Sequence, residues 1–176
     1  SKHLHILLAF PNSYFGDLES RGKIKNMPRI TQEIQLMLDP SLPTPEEDPN
    51  AAPERFGAKD VQDLSWKSLL DAYSCTECGR CTAACPANQT GKLLSPRKVM
   101  MATRDRMEDK AAFAKTNSND ADDGKSLHDY ISIEELRACT TCNACVEECP
   151  VSINPLTIIL EMRRYLILEE SKSPEE

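Results

Sequence analysis

Aromatic residues make up only 5% of this 176-residue chain, with a single tryptophan. A chain so poor in large rings builds a modest core, and something besides hydrophobic burial is expected to help hold it together. Long apolar runs are missing: no stretch approaches the ~17 to 25 residues that cross a bilayer, and no charged-apolar-small leader opens the chain. Basic excess is missing as well. Twenty-one Lys and Arg against 28 Asp and Glu give a net charge of -7, which repels nucleic-acid phosphates and sets that class of partner aside. No segment alternates as a strand, and no Ser-His-Asp or Cys-His pairing is laid out, so no substrate-converting site is expected in this chain. Cysteine is absent from the first 74 residues, and all eight cysteines fall in two short stretches.

Those stretches are CTECGRCTAACP at 75–86 and CTTCNACVEECP at 139–150. Cysteines at i, i+3 and i+6 let one tight loop supply three thiolates to a corner of a small inorganic cube, with the fourth coming from elsewhere. The run C-x2-C-x2-C-x3-C-P is the arrangement of two-cluster ferredoxins, in which the last cysteine ligates the other cluster. Cys75, Cys78, Cys81 and Cys149 are therefore expected to hold one 4Fe-4S cluster, and Cys139, Cys142, Cys145 and Cys85 a second. Metal bonding that crosses between the halves would supply much of the fold's stability. Gly79 and Asn143 occupy the same place in the two loops and belong to the residue types that most readily enter positive φ. Pro86 and Pro150 turn the chain away after the last ligand. Ala83, Ala84, Ala87, Val146, Val151 and Ile153 are small or apolar neighbours able to restrict water.

Other uses of cysteine fit less well. Eight cysteines in 176 residues fall below the ~8 to 10% of disulfide scaffolds, and two clustered runs would force strained local bridges. A zinc-stabilised interaction module needs four ligands but no third cysteine at i+6, fourth at i+10 and following proline, all twice. Free thiolates imply a reducing compartment, hence the cytoplasm. Two clusters with their eight thiolates take the formal charge from -7 to roughly -11, so a docking partner is expected to present basic surface.

The rest of the chain reads as helices and linkers. Residues 1–38 form an N-terminal extension: an apolar stretch at 3–10 consistent with the last turns of a buried or membrane-inserted helix, then a short helix over 31–38. Residues 39–59 are a Pro-rich linker in which Glu46, Glu47 and Asp48 are a solvated run. A ferredoxin domain occupies 60–170, with a tail at 171–176. Within it, Ser65 caps a helix with Trp66, Leu69, Leu70 and Tyr73 on its apolar face. Ser95 and Pro96 open a helix to about 110, with another turn around Phe113, lined by Val99, Met100, Thr103 and Met107. Residues 115–126 form a surface loop, with His128 beside it as a surface residue. Ser132 and Glu135 make a capping box ahead of Cys139. Asn154 and Pro155 start a last helix bearing Leu156, Ile159, Leu160 and Leu166. Arg163 and Arg164 suit the C-terminal half of that helix, and Arg80 and Arg137 read as solvent-exposed. Short helix, cysteine loop and Pro-started helix thus occur twice, an internal duplication with pseudo-twofold symmetry. The fold class is all-α.

With 53 residues between Cys85 and Cys139 and helices on the flanks, the core from Trp66 to Leu168 resembles the alpha-helical ferredoxins. These occur in the C subunit of heterodisulfide reductases, the iron-sulfur subunit of glycolate oxidase and the C-terminal half of succinate dehydrogenase iron-sulfur subunits. The matching motifs are SCTECGRCTAACP and ACTTCNACVEECP, both complete, which favours two 4Fe-4S centres. SKHLHILLAFPNSYF at the start resembles the end of a nitrate-reductase-gamma-like haem b membrane domain. That resemblance implies an axial haem ligand role for His5 in a full-length protein, of which this chain would be an excised piece. It also implies electron relay between a membrane quinone or haem domain and a cytoplasmic partner carrying CCG domains, at the cytoplasmic side of the inner membrane. A standalone soluble carrier is the alternative.

Overall fold

The structure, a computed structural model, describes residues 3–19, 22–24, 26–39, 55–116 and 122–172. Among the described residues every regular element is helical and there is no strand. The chain divides into two units, one of residues 22–54 and one of residues 1–21 with 55–176. In the first, helix α2 (Pro28–Leu38) starts on Pro28, and the Thr31 hydroxyl bonds the Met27 carbonyl at 3.1 Å. The expected linker lies outside the described residues over 40–54, Glu46 to Asp48 included, as do residues 173–176 of the expected tail.

The second unit opens with α1 (Leu4–Tyr14), which contains Pro11 and packs along α3 (Trp66–Ser74). A short loop then carries α4 (Arg80–Ala83) and α5 (Pro86–Gln89), followed by the long α6 (Pro96–Thr116). The second half repeats the order with α7 (Ile133–Ala138), α8 (Ala144–Glu147) and α9 (Pro155–Leu168). Each half is also preceded by a 3₁₀ turn with its own capping box, Val61–Asp63 and Leu127–Asp129. Helix α5 has no counterpart in the second half, and it takes up the longer spacing between Cys85 and Pro96.

The sequence caps act as expected. Ser65 accepts the Ser68 N–H, Ser132 the Glu135 N–H and Asn154 the Thr157 N–H, each satisfying a first-turn donor that would otherwise lack a partner. The core lies between α6, through Val99, Met100 and Ala102, and α9, through Leu156, Ile158, Ile159, Met162 and Leu166. Thr103 is buried among them by bonding its hydroxyl back to the Val99 carbonyl at 2.8 Å.

Several expectations need correction. Helix α6 runs unbroken to Thr116, so the turn expected around Phe113 continues the helix expected to end near 110. Helix α3 does not bury Trp66, which is 61% exposed; its covered face is Ser68, Asp71, Ala72 and Ser74. Small and polar residues suit that face because α1 approaches there and bonds to it. Of the expected surface loop, 117–121 lies outside the described residues, yet Asp123 is drawn in by the fully buried Arg106 of α6. Arg106 also bonds both oxygens of Asp60, at 2.8 and 2.7 Å, and the Lys125 carbonyl, while Lys110 reaches Asp60 at 2.7 Å. His128 is not a surface residue: both its ring nitrogens are buried, with no close hydrogen-bond partner among the described residues, and its ring lies 5.5 Å from that of Tyr165. The buried Leu127 beside it carries the ring inward, and burial lowers its pKa. Residues 55–59, at the end of the expected linker, pack on α9, where the Ala58 N–H donates to the Glu161 carbonyl at 2.9 Å.

Candidate metal centres

Each cysteine loop begins where a capped helix ends and finishes on a short helical turn. Cys75 and Cys139 are the C-cap residues of α3 and α7, and both leave in extended conformation. Gly79 at φ 83° and Asn143 at φ 62° stand as N-caps of α4 and α8, the left-handed positions expected of them. Glu77 at φ 58° and Thr141 at φ 55° adopt the same conformation two residues after the first cysteine of each loop. Sequence reasoning missed this pair, since neither residue type favours positive φ. The benefit is visible at sulfur: the Thr141 N–H points at Cys139 Sγ from 3.5 Å, and the Glu77 N–H interacts with Cys75 in the same way. Glu77 is further fixed by Arg104 of α6 at 2.5 Å.

The cysteines line two cavities. One is bordered by Cys75, Cys78, Cys81 and Cys149, with Arg80 and Arg97 at its edge and Met100 and Ile153 behind. The other is bordered by Cys85, Cys139, Cys142 and Cys145, with Leu94, Leu156 and Ile159. Cys145 also touches the first cavity, so it stands in the wall between the two. Counting space open to solvent, they contain ≈ 400 and ≈ 310 Å³. Among the described residues no three His, Cys, Asp or Glu side chains converge on a point suited to one metal ion. Thiols spread around a void match a polynuclear cluster, whose irons sit at separate corners, better than a single tetrahedral ion. Cys78 and Cys142 are exposed, whereas Cys75, Cys85 and Cys145 are buried.

Burial pushes the pKa of Cys145 up to about 12, with further repulsion from Cys139, Cys81, Cys142 and Cys85. Burial likewise raises Cys75, Cys81 and Cys139. Cys78 is lowered, chiefly by the Arg80 backbone N–H. Crowded thiolates of this kind become favourable only when a cationic core neutralises them, so metal binding here would release protons.

Neighbouring elements fix the loops. Arg163 of α9 donates from Nε to the Leu136 carbonyl at 2.9 Å and from Nη2 to the Cys139 carbonyl at 2.6 Å. It therefore holds the end of another helix together with the backbone of a candidate ligand, a larger part than its expected place near the end of its own helix. Lys98 of α6 pairs with the buried Glu135 of the α7 capping box at 2.7 Å. Thr82 meets Ser95 at 2.8 Å, and the Ile153 N–H points at Cys149 Sγ from 3.4 Å. Arg80 and Arg137 are exposed, as expected. His5 sits half-buried in the first turn of α1.

The model of the 4Fe-4S dicluster domain matches residues 71–153, which contain every cysteine. Residues 71–153 are thus similar to a dicluster ferredoxin module, and the likeness extends to the C subunit of heterodisulfide reductases. The chain is 36% identical, over 60% of its length and 53% of the relative, to the C subunit of the ferredoxin/F(420)H(2)-dependent CoB-CoM heterodisulfide reductase of Methanosarcina acetivorans. A probable iron-sulfur-binding oxidoreductase of Bacillus subtilis, FadF, is 33% identical over 98% of the chain, which spans 26% of that protein. An EtfAB:quinone oxidoreductase of Syntrophomonas wolfei is 33% identical over 70% of the chain and 20% of its own length. The chain thus corresponds to about a quarter or less of these two longer relatives. No solved structure matches. The matched family and the names of these relatives are those of iron-sulfur redox proteins. No described helix is long and apolar enough to cross a membrane.

Proposed function

We propose that the chain relays single electrons through two 4Fe-4S clusters, between a membrane quinone or haem domain and a cytoplasmic redox partner carrying CCG domains. The observation behind this reading is the lining of the two cavities: Cys75, Cys78 and Cys81 meet Cys149, with Cys145 in the shared wall, and Cys139, Cys142 and Cys145 meet Cys85. Cys75, Cys78, Cys81 and Cys149 would hold one cluster, and Cys139, Cys142, Cys145 and Cys85 the second. A cluster held by each of these cysteine sets would supply exchange of one electron at a time. The residues do the rest: left-handed turns direct amides at sulfur, and apolar side chains behind each cavity restrict water, the two factors that set cluster potential. Cys145, which lines both cavities, joins the two sites.

Support for the membrane side comes from the quinone in the name of the Syntrophomonas relative. In this reading the module lies at the cytoplasmic face of the inner membrane, and His5 is an axial haem ligand in the longer protein. The test is anaerobic purification followed by iron and sulfide analysis and electron paramagnetic resonance. About eight irons per chain are expected, with Cys85→Ser damaging the centre built on Cys139, Cys142 and Cys145. A colourless folded protein, or loss confined to the Cys75 centre, would overturn the assignment.

A further inference from the structure

Helix α1 is bonded to the rest of its unit beside one cysteine set only. The Leu8 carbonyl accepts a hydrogen bond at 3.2 Å from the hydroxyl of Ser74, the residue before Cys75. Asn12, fully buried, donates from Nδ2 to the Val151 carbonyl at 2.9 Å, two residues past Cys149. Its Oδ1 accepts from Lys67 Nζ at 3.0 Å. Lys67 in turn pairs with the buried Asp71 at 2.5 Å, and Asp71 accepts the Asn154 N–H at 3.3 Å. Every one of these contacts falls on the helix that ends at Cys75 or on the turn that follows Cys149, two cysteines on the border of the same cavity. Among the described residues, no hydrogen bond of α1 reaches Cys85 or the 139–145 loop.

The outward side of α1 has a different character. Leu7, Phe10 and Tyr14 are 73, 78 and 83% exposed and follow helical spacing, Leu18 in the chain after the helix is fully exposed, and Phe15 extends the patch to Trp66 with ring centroids 5.4 Å apart. One side of this short helix is therefore fastened to the backbone around a single cavity, while the other presents exposed apolar and aromatic surface. Tyr and Trp beside aliphatic residues are the composition that rests against a membrane-embedded domain and its interface.

We infer that the centre bordered by Cys75, Cys78, Cys81 and Cys149 is the one that exchanges electrons with the membrane side, and that the centre of Cys85, Cys139, Cys142 and Cys145 faces the cytoplasmic partner. Asn12 is a positioning residue in this scheme. It acts through the Val151 carbonyl on the backbone that follows Cys149. The inference rests on the relay proposed above. One electron at a time passes between a quinone-class carrier or haem and the α1-linked centre, the one being oxidised as the other is reduced.

Two experiments test it. In the anaerobically purified chain, Asn12→Ala and the isosteric Asn12→Asp are followed by redox titration with paramagnetic resonance detection. The spectrum and midpoint of the centre that Cys78→Ser abolishes should move in both variants, and those of the centre that Cys142→Ser abolishes should not. Movement of the second centre, or of neither, overturns the tie. In the longer protein, rapid-freeze reduction by a quinol should persist at the remaining centre in Cys142→Ser and be lost at the remaining centre in Cys78→Ser. Dithionite, which reduces either centre directly, shows that the remaining cluster is intact. The reverse pattern overturns the order. If quinol reduces neither centre of the parent protein while dithionite reduces both, the membrane relay itself fails, and the Asn12 titration still decides which centre α1 is tied to.

Discussion

Gly57 and Gly79 both hold φ near +80°, at 79° and 83°, yet their surroundings differ. A Cβ on Gly79 would meet nothing nearer than the flexible end of Arg97 at 3.5 Å, so an alanine there bears only the left-handed backbone cost of about 1–2 kcal/mol. At Gly57 the same atom would lie 2.3 Å from the Glu161 carbonyl oxygen and 2.5 Å from the Tyr165 nitrogen, backbone that cannot swing aside. Gly57→Ala adds overpacking, typically about 1–3 kcal/mol, to the backbone cost. Anaerobic thermal unfolding should therefore show Gly57→Ala as clearly the more harmful of the two, and equal midpoints would contradict the packing of 55–58 on α9. Residue identity announced the turn at Gly79 and its partner Asn143 because those types favour it. It concealed the turns at Glu77 and Thr141, whose strain is carried by amide bonds to sulfur that no local propensity expresses.

At the level of elements, helix starts were readable because a cap is a local event. Ser65, Ser132 and Asn154 each bond an amide three residues ahead. Helix faces were harder. The covered side of α3 is small and polar because its partners come from α1 and the Asn154 turn, far off in the chain, and the part played by Arg163 depends on α7, 27 residues upstream at Leu136. That clamp leads to a prediction. Arg163→Met leaves the α7 carbonyls without their charged donor, at a cost of about 1.5–3 kcal/mol for the first bond lost. Iron analysis with resonance spectra should show the loss concentrated in the centre that depends on Cys139. Equal loss from both centres would mean that the clamp supports the whole domain and not that loop.

For the molecule as a whole, the buried Arg106 joins the starts of the two repeats, since Asp60 precedes the first and Asp123 the second. Hydrogen bonding to Arg106 holds the Asp123 carboxyl at about 2. Burial works to raise Asp60, but its bonds from Arg106 and Lys110 prevail and the net shift is downward. Depressed carboxyls stabilise the fold above their unfolded value, near 3.9 for Asp, and that stabilisation is lost as pH falls through the folded value. The gap in unfolding temperature between the parent and Asp123→Asn should accordingly be open at neutral pH and close between about pH 4 and pH 2. Comparing the two chains cancels the acid lability of the clusters themselves, and a gap indifferent to pH would refute the linkage. The interlaced lining of the two cavities also bears on biosynthesis. When Cys145 leaves the ribosome, the cavity of Cys139 and Cys142 has all the cysteines that border it, because Cys85 was made long before. The cavity begun at Cys75 must wait for Cys149, so the set of thiols started first in translation is the last to be completed.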